Sequence, residues 1–396
     1  MQHIPPIDCQ EARVIDLIEA TRLKLRHHLY APQRWYGLLA RVTRACALRA
    51  SNSIEGIHVS AEDAIAAIDG EAPIQADRDT WAAVMGYRQA MDFALQRCQD
   101  PSFQFSSDLI LALHFMITEH DHKANPGRLR PGWVGVRNTE TGEIVHEGAD
   151  RDLLDELMDE YIGLLNTPST DSSGQNCNIM VKAAMAHLIL TLMHPFSDGN
   201  GRLARCIQTA VLAAAGVADP FFSSIEEYTG RNVQDYYDVL ATVGGGGWHP
   251  ENDARPWVRF CLTAHYRQAQ TLLRRIRETD RVYEELSQII TRKGLPERMV
   301  FALMEAAFGY RVRNSSYRVS ADISSNLASR DLKTLVSEGM LERRGERRGA
   351  YYTASSEIRE VRTRHRLPKS IPDPFELEIE AKEASPVAVG LTANSP

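Results

Sequence analysis

The sequence predicts a mainly α-helical protein with one β-hairpin in its first two thirds and a smaller helix-and-hairpin unit near its C-terminus. Three observations predict it. Apolar residues recur at helical intervals through most of the first 260 positions. That pattern breaks at 128–147, where turn-rich sequence separates two short extended runs. A compact block after Lys293 then ends in two short β-prone runs around Gly345-Glu-Arg-Arg-Gly349.

The elements follow in order. Residues 11–29 are amphipathic, with Val14, Ile15, Ile18, Leu23 and Leu25 at near-helical intervals. Helical composition continues at 33–50, 61–68 (ended by Gly70), 80–97 and 107–119. A hairpin is expected at 133–147, a helix at 151–165, a polar loop at 167–178 and an apolar helix at 181–193. Gly244-Gly-Gly-Gly247 is a flexible connection, a helix follows at 255–277, and Lys293-Gly-Leu-Pro296 marks a second boundary. The tail after Leu367 is rich in Pro, Glu, Ala and Ser, a composition that favours disorder. These breaks divide the 396 residues into an N-terminal helical region (1–105), a central unit (106–270), a linker helix with a C-terminal unit (271–366) and a tail (367–396).

Composition excludes several classes. With 43% hydrophobic and 24% charged residues the chain can fold around ordinary cores. No apolar run reaches the roughly 18 residues of a membrane helix, and the N-terminus has no basic-then-apolar leader pattern, so a cytoplasmic protein without a membrane partner is expected. The six cysteines (Cys9, Cys46, Cys98, Cys177, Cys206 and Cys261) are scattered and show no ligand spacing, which points to free thiols and away from zinc. The net charge of −7 argues against wholesale nucleic-acid binding, yet residues 267–369 carry 22 Lys and Arg against 13 Asp and Glu. Such a basic block is either a module with its own partner or a solvated helical surface.

Chemistry concentrates in His194-Pro-Phe-Ser-Asp-Gly-Asn-Gly-Arg-Leu-Ala-Arg205. Pro195 stops the apolar helix and leaves His194 at its end. Asp198-Gly-Asn-Gly201 is turn sequence, and its glycines let backbone N–H groups converge at the start of the next helix, where partial positive charge favours an anion. Arg202 and Arg205, three apart, share one face of that helix and can clamp phosphate oxygens. Asp198 can hold a hard cation, and His194 is a natural general base. No Walker-type lysine loop and no nucleophile elbow occur, so the histidine would deprotonate an incoming hydroxyl.

This stretch resembles the motif of the Fic family, HPFx(D/E)GN(G/K)RxxR, at every specified position. His187, seven residues before His194, sits where that family often carries a histidine, and is read as structural. Asn232 with Tyr236-Tyr237 resembles the segment that follows the Fic core. The resemblance implies a Fic helical core with a β-hairpin flap, and transfer of AMP from ATP to a Ser, Thr or Tyr hydroxyl of a target protein. By that similarity His194 is the base and Asp198 the Mg2+ ligand. Ser197, Asp198, Gly199, Asn200 and Gly201 surround the α- and β-phosphates, Arg202 reaches the β-phosphate and Arg205 the γ-phosphate. Tyr236 and Tyr237 line the adenine pocket or pack in the core. Ile144, Val145 and His146 of the flap contact the target by strand addition. Removal of AMP, or use of another nucleotide, would need the same site, and self-association stays open.

Ser51-Asn-Ser-Ile-Glu-Gly56 resembles the family's inhibitory motif, Ser/Thr-x-x-x-Glu-Gly/Asn. Ser51 and Glu55 are four apart and so face the same way on a helix. The resemblance implies that Glu55 pairs with Arg205 in place of the γ-phosphate, so that ATP binds misaligned and the resting enzyme is inhibited.

Residues 324–353 resemble a winged helix: Leu327, Leu332, Leu335 and Val336 give one apolar face, Gly339 ends the helix, and two strands flank a basic tip. Ser325, Asn326 and Arg330 would then face DNA from the recognition helix, and Arg347 and Arg348 from the wing. Such modules also dock proteins, and a DNA-binding regulator that senses nucleotide is the rival of another class.

Overall fold

A long apolar segment lies at the centre of the chain: Ile179–Met193 is a helix buried on nearly every side, as expected of a sequence hydrophobic all round. The computed structural model describes residues 2–30, 36–138, 141–168, 178–217, 224–345 and 350–377. In chain order the helices before it are α1 (Cys9–Tyr30), α2 (Tyr36–Ile54), α3 (Ala61–Asp69), α4 (Arg78–Arg97), α5 (Ser107–Thr118) and α6 (Leu154–Asn166). The central helix is α7. After it come α8 (Asn200–Ala214), α9 (Glu226–Arg231), α10 (Val233–Gly244) and α11 (Arg255–Arg292). The hairpin β1 (Gly135–Arg137) and β2 (Ile144–Glu147) lies between α5 and α6. This is the mainly α architecture expected from the sequence.

Local chemistry explains the boundaries. Ser60, Asp77, Ser106 and Asn178 cap α3, α4, α5 and α7, each side chain accepting a first-turn N–H. Gly70 ends α3 in the left-handed region, φ 71°. Helix α7 packs against α8, α6 and α11, and α2 against α3, α4 and α9. Helix α1 lies along α11, pinned by Arg255 and Arg259, which both pair with Asp8 and Glu11.

Helix α11 runs unbroken for 38 residues, about 57 Å at 1.5 Å per residue, and crosses the boundary expected after residue 270. Its far half carries the C-terminal unit: α12 (Val300–Ala307), α13 (Asn314–Ser320), α14 (Ser325–Ser337), the antiparallel pair β3 (Leu341–Arg344) and β4 (Tyr351–Ala354), and α15 (Ser356–Arg364). Val312 adds an isolated bridge to Tyr352. This unit is clasped to the N-terminal helices by ions: Arg41 of α2 pairs with Glu305 of α12, Glu62 of α3 with Arg311, and Glu71 with Arg313.

The tail departs from the disorder its composition suggests, as far as it is described. Arg13 donates to the carbonyls of Pro374 and Phe375, Arg259 stacks on the Phe375 ring at 5.2 Å, and Ile371 and Leu377 pack on the core. Three apolar side chains and these arginines tie down a segment that reads as polar. Cys9, Cys46, Cys98, Cys206 and Cys261 are free thiols, while Cys177 lies outside the described residues. No described helix is long and apolar enough to cross a membrane.

Candidate functional site

His194 caps α7 in the left-handed region, φ 51° and ψ 59°, a conformation that costs a non-glycine residue roughly 1–2 kcal/mol. Arg130 holds it there. This arginine is 2% exposed; its Nε donates to the His194 carbonyl at 2.9 Å, and its two terminal nitrogens donate to the carbonyls of Gly132 and Ala149. Its own N–H donates to the Pro195 carbonyl at 3.0 Å. The imidazole Nδ1–H donates to the Thr191 carbonyl at 3.1 Å, which leaves Nε2 as the basic nitrogen. Burial pulls the His194 pKa down to about 4, so the ring is neutral near pH 7 and able to accept a proton.

The loop after His194 is braced from α5. His114 stacks on Phe196, ring centroids 3.8 Å apart. Its Nδ1 accepts the Gly127 N–H at 3.0 Å, so Nε2 carries the proton and donates to the Asp198 carbonyl at 2.9 Å. Burial lowers the His114 pKa to about 4, which preserves this pattern. Gly199 turns the chain at φ 81°, and a Cβ there would come 2.7 Å from Thr118 Cγ2, so a side chain is excluded on both counts.

Helix α8 begins at Asn200. The Asn200 side chain is engaged within the loop: its Oδ1 accepts the Phe196 N–H at 3.0 Å and its Nδ2 donates to the Phe196 carbonyl at 2.8 Å. The amide closes the loop, and the backbone N–H groups of the first turn are the donors left without a helical acceptor. Ser197 and Asp198 stand at the loop tip, with the Asp198 side chain exposed and 3.4 Å from Arg202 Nη2.

Arg202 and Arg205 are both almost wholly buried. Arg202 donates to the Ile117 carbonyl at 3.4 Å. Arg205 donates from Nε to Ser51 Oγ at 2.7 Å, and from Nη2 to the Ser51 carbonyl at 2.9 Å and to Glu55 Oε1 at 2.7 Å. Burial opposes the Arg205 charge, and the Glu55 carboxylate outweighs it and raises the pKa. Two buried nitrogens, Arg202 Nε and Arg205 Nη1, have no hydrogen-bond partner among the described residues. Arg205 Nη1 lies 3.3 Å from where a Cβ on Gly201 would be, and that Cβ would overlap Glu55 Oε1. The Glu55 carboxylate therefore rests on the backbone at the N-terminus of α8, where the sequence predicts an anion. Glu55 lies one residue past the end of α2, its N–H bonded to the Asn52 carbonyl, and Gly56 follows at φ 76°.

The tyrosine pair divides. Tyr236 is a core residue, 2% exposed, with its hydroxyl 3.1 Å from His187 Nε2 and its ring among His187, Trp257 and Phe260. It does not line an open pocket. His187 is equally buried, with Nδ1 2.6 Å from Gln208 Oε1. Tyr237 is 45% exposed and donates to the Ile54 carbonyl at 2.8 Å, beside the end of α2. In the hairpin, Ile144 and Val145 are exposed together with Trp133. His146 turns inward instead: its Nε2 donates to the Leu192 carbonyl at 2.7 Å, and its ring centroid is 6.4 Å from that of His194. It ties the hairpin to α7 rather than presenting a contact outward.

In the C-terminal unit Ser325, Asn326 and Arg330 are exposed on the first half of α14, while Ala328, Leu332 and Leu335 face inward. Arg347 and Arg348 lie outside the described residues.

The bracing residues His114 and Arg130 are absent from the sequence reading. Both pair with partners 64 or more positions away. A faint signal exists for Arg130, an arginine inside a Pro- and Gly-rich loop beside the hairpin, where a buried donor would be needed to order the chain.

Residues 104–212 match the model of the Fic/DOC family. The chain is 28% identical over 177 residues to a protein adenylyltransferase Fic of Nematostella vectensis, covering 45% of this chain and 36% of that one. It is 30% identical over 159 residues to the protein adenylyltransferase fic-1 of Caenorhabditis elegans, covering 40% and 26%. The matched segments thus span about a third or less of these relatives. Among solved structures, a Fic family protein from Desulfovibrio desulfuricans G20 superposes with a TM-score of 0.57 at 21% identity, over 90% of this chain and 99% of that one. A fragment of C. elegans Fic-1 superposes with a TM-score of 0.51 at 22% identity, over 66% and 72%. These likenesses concern the fold. The segment that positions His114, Arg130, His194 and Arg205 around one helix N-terminus is the one that matches the Fic/DOC family model.

Proposed function

We propose that this protein is an adenylyltransferase that moves AMP from ATP to a Ser, Thr or Tyr hydroxyl of a target protein, and that Glu55 holds it inactive at rest. One observation carries the reading. A neutral imidazole with a free Nε2 shares a pocket with a helix N-terminus whose anion position is filled by the chain's own carboxylate. The names of the curated relatives support the same chemistry.

In this reading the target hydroxyl gives its proton to His194 Nε2 as its oxygen bonds to the α-phosphorus. The bond from that phosphorus to the bridging oxygen breaks, and pyrophosphate leaves. First-turn N–H groups of α8, with Arg202 and Arg205, hold the phosphates where charge develops. Arg130 and His114 act by fixing the loop. Ile144 and Val145 would pin a target strand along the hairpin. Magnesium fits the same place: Asp198 is an exposed carboxylate at the loop tip, no cluster of three His, Cys, Asp or Glu exists among the described residues, and Mg2+ is usually held by one or two carboxylates plus substrate phosphates. Bound there it would neutralise phosphate charge. Glu55 occupies the γ-phosphate's place on Arg205; a shift of about 1 Å in the bound triphosphate can cost on the order of 100-fold in rate.

We read the C-terminal unit as a winged helix. The α13–α14 pair, the β3–β4 hairpin and the Val312–Tyr352 bridge support this, and the exposed Ser325, Asn326 and Arg330 would face its partner. A gel shift of duplex DNA by the full chain, lost in Asn326→Ala/Arg330→Ala, checks that face.

The transfer itself is tested with ATP labelled at the α- or the γ-phosphate. Protein-bound label from the α position alone is the expected result, and its loss in His194→Ala ties it to the imidazole. Label retained from the γ position would mean phosphorylation and would overturn the reading.

A further inference from the structure

A second cavity, of about 200 Å³, lies away from His194, between α2, α11 and the segment that leaves α15. Its walls carry Arg231, Arg274, Arg275, Arg362, Arg366 and Lys369. Two carboxylates answer these six cations. Glu227 accepts Arg231 and Arg275, and Glu278 accepts Arg274 at 2.6 Å and the Leu367 N–H at 2.8 Å. Arg362 is held by the Phe308 carbonyl at 2.7 Å and lies over the Phe308 ring at 4.7 Å, with no carboxylate of its own among the described residues. Arg366 and Lys369, both exposed, have no ion-pair partner among the described residues. The Arg274 Nε is buried without an acceptor. Burial, with the like charge of Arg366 adding to it, lowers the Arg362 pKa.

A concave surface with four positive charges in excess concentrates anions. Planar guanidinium groups match the oxygens of a phosphate group. The opposite wall is apolar, from Leu38, Leu39 and Val42 of α2, and would receive an uncharged body next to the charged head. The volume suits a small molecule.

We propose that this cavity binds a small phosphorylated molecule, its phosphate on Arg362, Arg366 and Lys369 and its uncharged part on the α2 wall. The site is separate from the one holding Glu55 and Arg205, and its binding can be read without any transfer activity. The occupant would bridge the α2 side of the molecule to the C-terminal unit, and so would stabilise that junction by mass action.

The test is calorimetric titration of the full chain with phenyl phosphate, repeated on Arg366→Ser/Lys369→Ser. Arg366 and Lys369 are exposed, so their replacement leaves the core untouched. The expected result is saturable binding by the unaltered protein, weakened roughly tenfold or more in the double variant. A matching rise in melting temperature with phenyl phosphate should vanish in the double variant. Absence of saturable binding, or binding that survives Arg366→Ser/Lys369→Ser unchanged, overturns the proposal.

Discussion

Glu55 Oε1 and Arg205 Nη2 stand 2.7 Å apart although 150 positions separate them in the chain. The guanidinium is 1% exposed and the carboxylate 27%. One end of the pair is therefore fixed in the core and the other reaches towards solvent, the asymmetry that the proposed inhibition by Glu55 requires. Arg205 Nη1, beside Gly201, has no hydrogen-bond partner among the described residues, and in the proposed reading a phosphate oxygen would accept from it.

Ser51 shares the hold on Arg205 through its hydroxyl and its carbonyl. Ser51→Ala removes the acceptor of a buried Nε–H, a loss of about 1–3 kcal/mol. Urea unfolding should show that loss. AMP transfer from ATP should rise, by less than in Glu55→Gly, because the carboxylate remains but its anchor is loosened.

The imidazole of His194 has its pKa lowered to about 4 by burial. Its basic form is therefore complete from about pH 8 down to about pH 5.5, whereas an ordinary imidazole loses half of it near 6.5. In Glu55→Gly protein the rate should show no acidic limb between those limits. A limb centred near pH 6.5 would show that the base is not this buried ring.

Stability should fall in mild acid. His187 and His265 are lowered to about 3, and His114 and His194 to about 4, in each case by burial. The unfolded chain binds protons to all four below about pH 6.5 while the folded protein refuses them. The contribution is full above that pH and is lost as pH falls towards the folded values. Each ring costs up to about 1.4 kcal/mol per pH unit, so the melting temperature should drop steeply between about pH 6 and pH 4.

Arg130 acts by position and not by contact with substrate. Arg130→Ala leaves three carbonyls, one of them fully buried, and the strained His194 backbone without their donor. In the Glu55→Gly background kcat should fall at least about tenfold with KM for ATP little changed, since the arginines and N–H groups of α8 stay in place. Arg130→Lys, a single donor head, should recover only part of that loss.

The readable parts of this molecule are those fixed by residue type at short spacing. The turn after His194, the glycine at 199, the shared face of Arg202 and Arg205, and the helix pattern from α1 to α7 all fall in that class. Ser51, on the last turn of α2, and Glu55, in the turn just past it, reach the same arginine. What stayed hidden depends on tertiary contact. The bonds by which the Asn200 side chain closes its own loop on Phe196 have no signal in the sequence. His146 alternates inward because its strand lies over the end of α7. Helix α15, built from charged residues with only Ile358 and Val361 buried, shows no periodicity strong enough to announce it. Tyr236 and Tyr237, adjacent in sequence, separate into core and surface because α10 turns by 100° per residue.

The most direct test of the plugged phosphate site is the initial rate of AMP transfer from α-labelled ATP, compared among the unaltered protein, Glu55→Gly and Glu55→Gly/His194→Ala. A rise of about 100-fold in the first variant, returned to background in the second, is the predicted result. Equal rates in the unaltered protein and Glu55→Gly, or a double variant as fast as the single one, would contradict it.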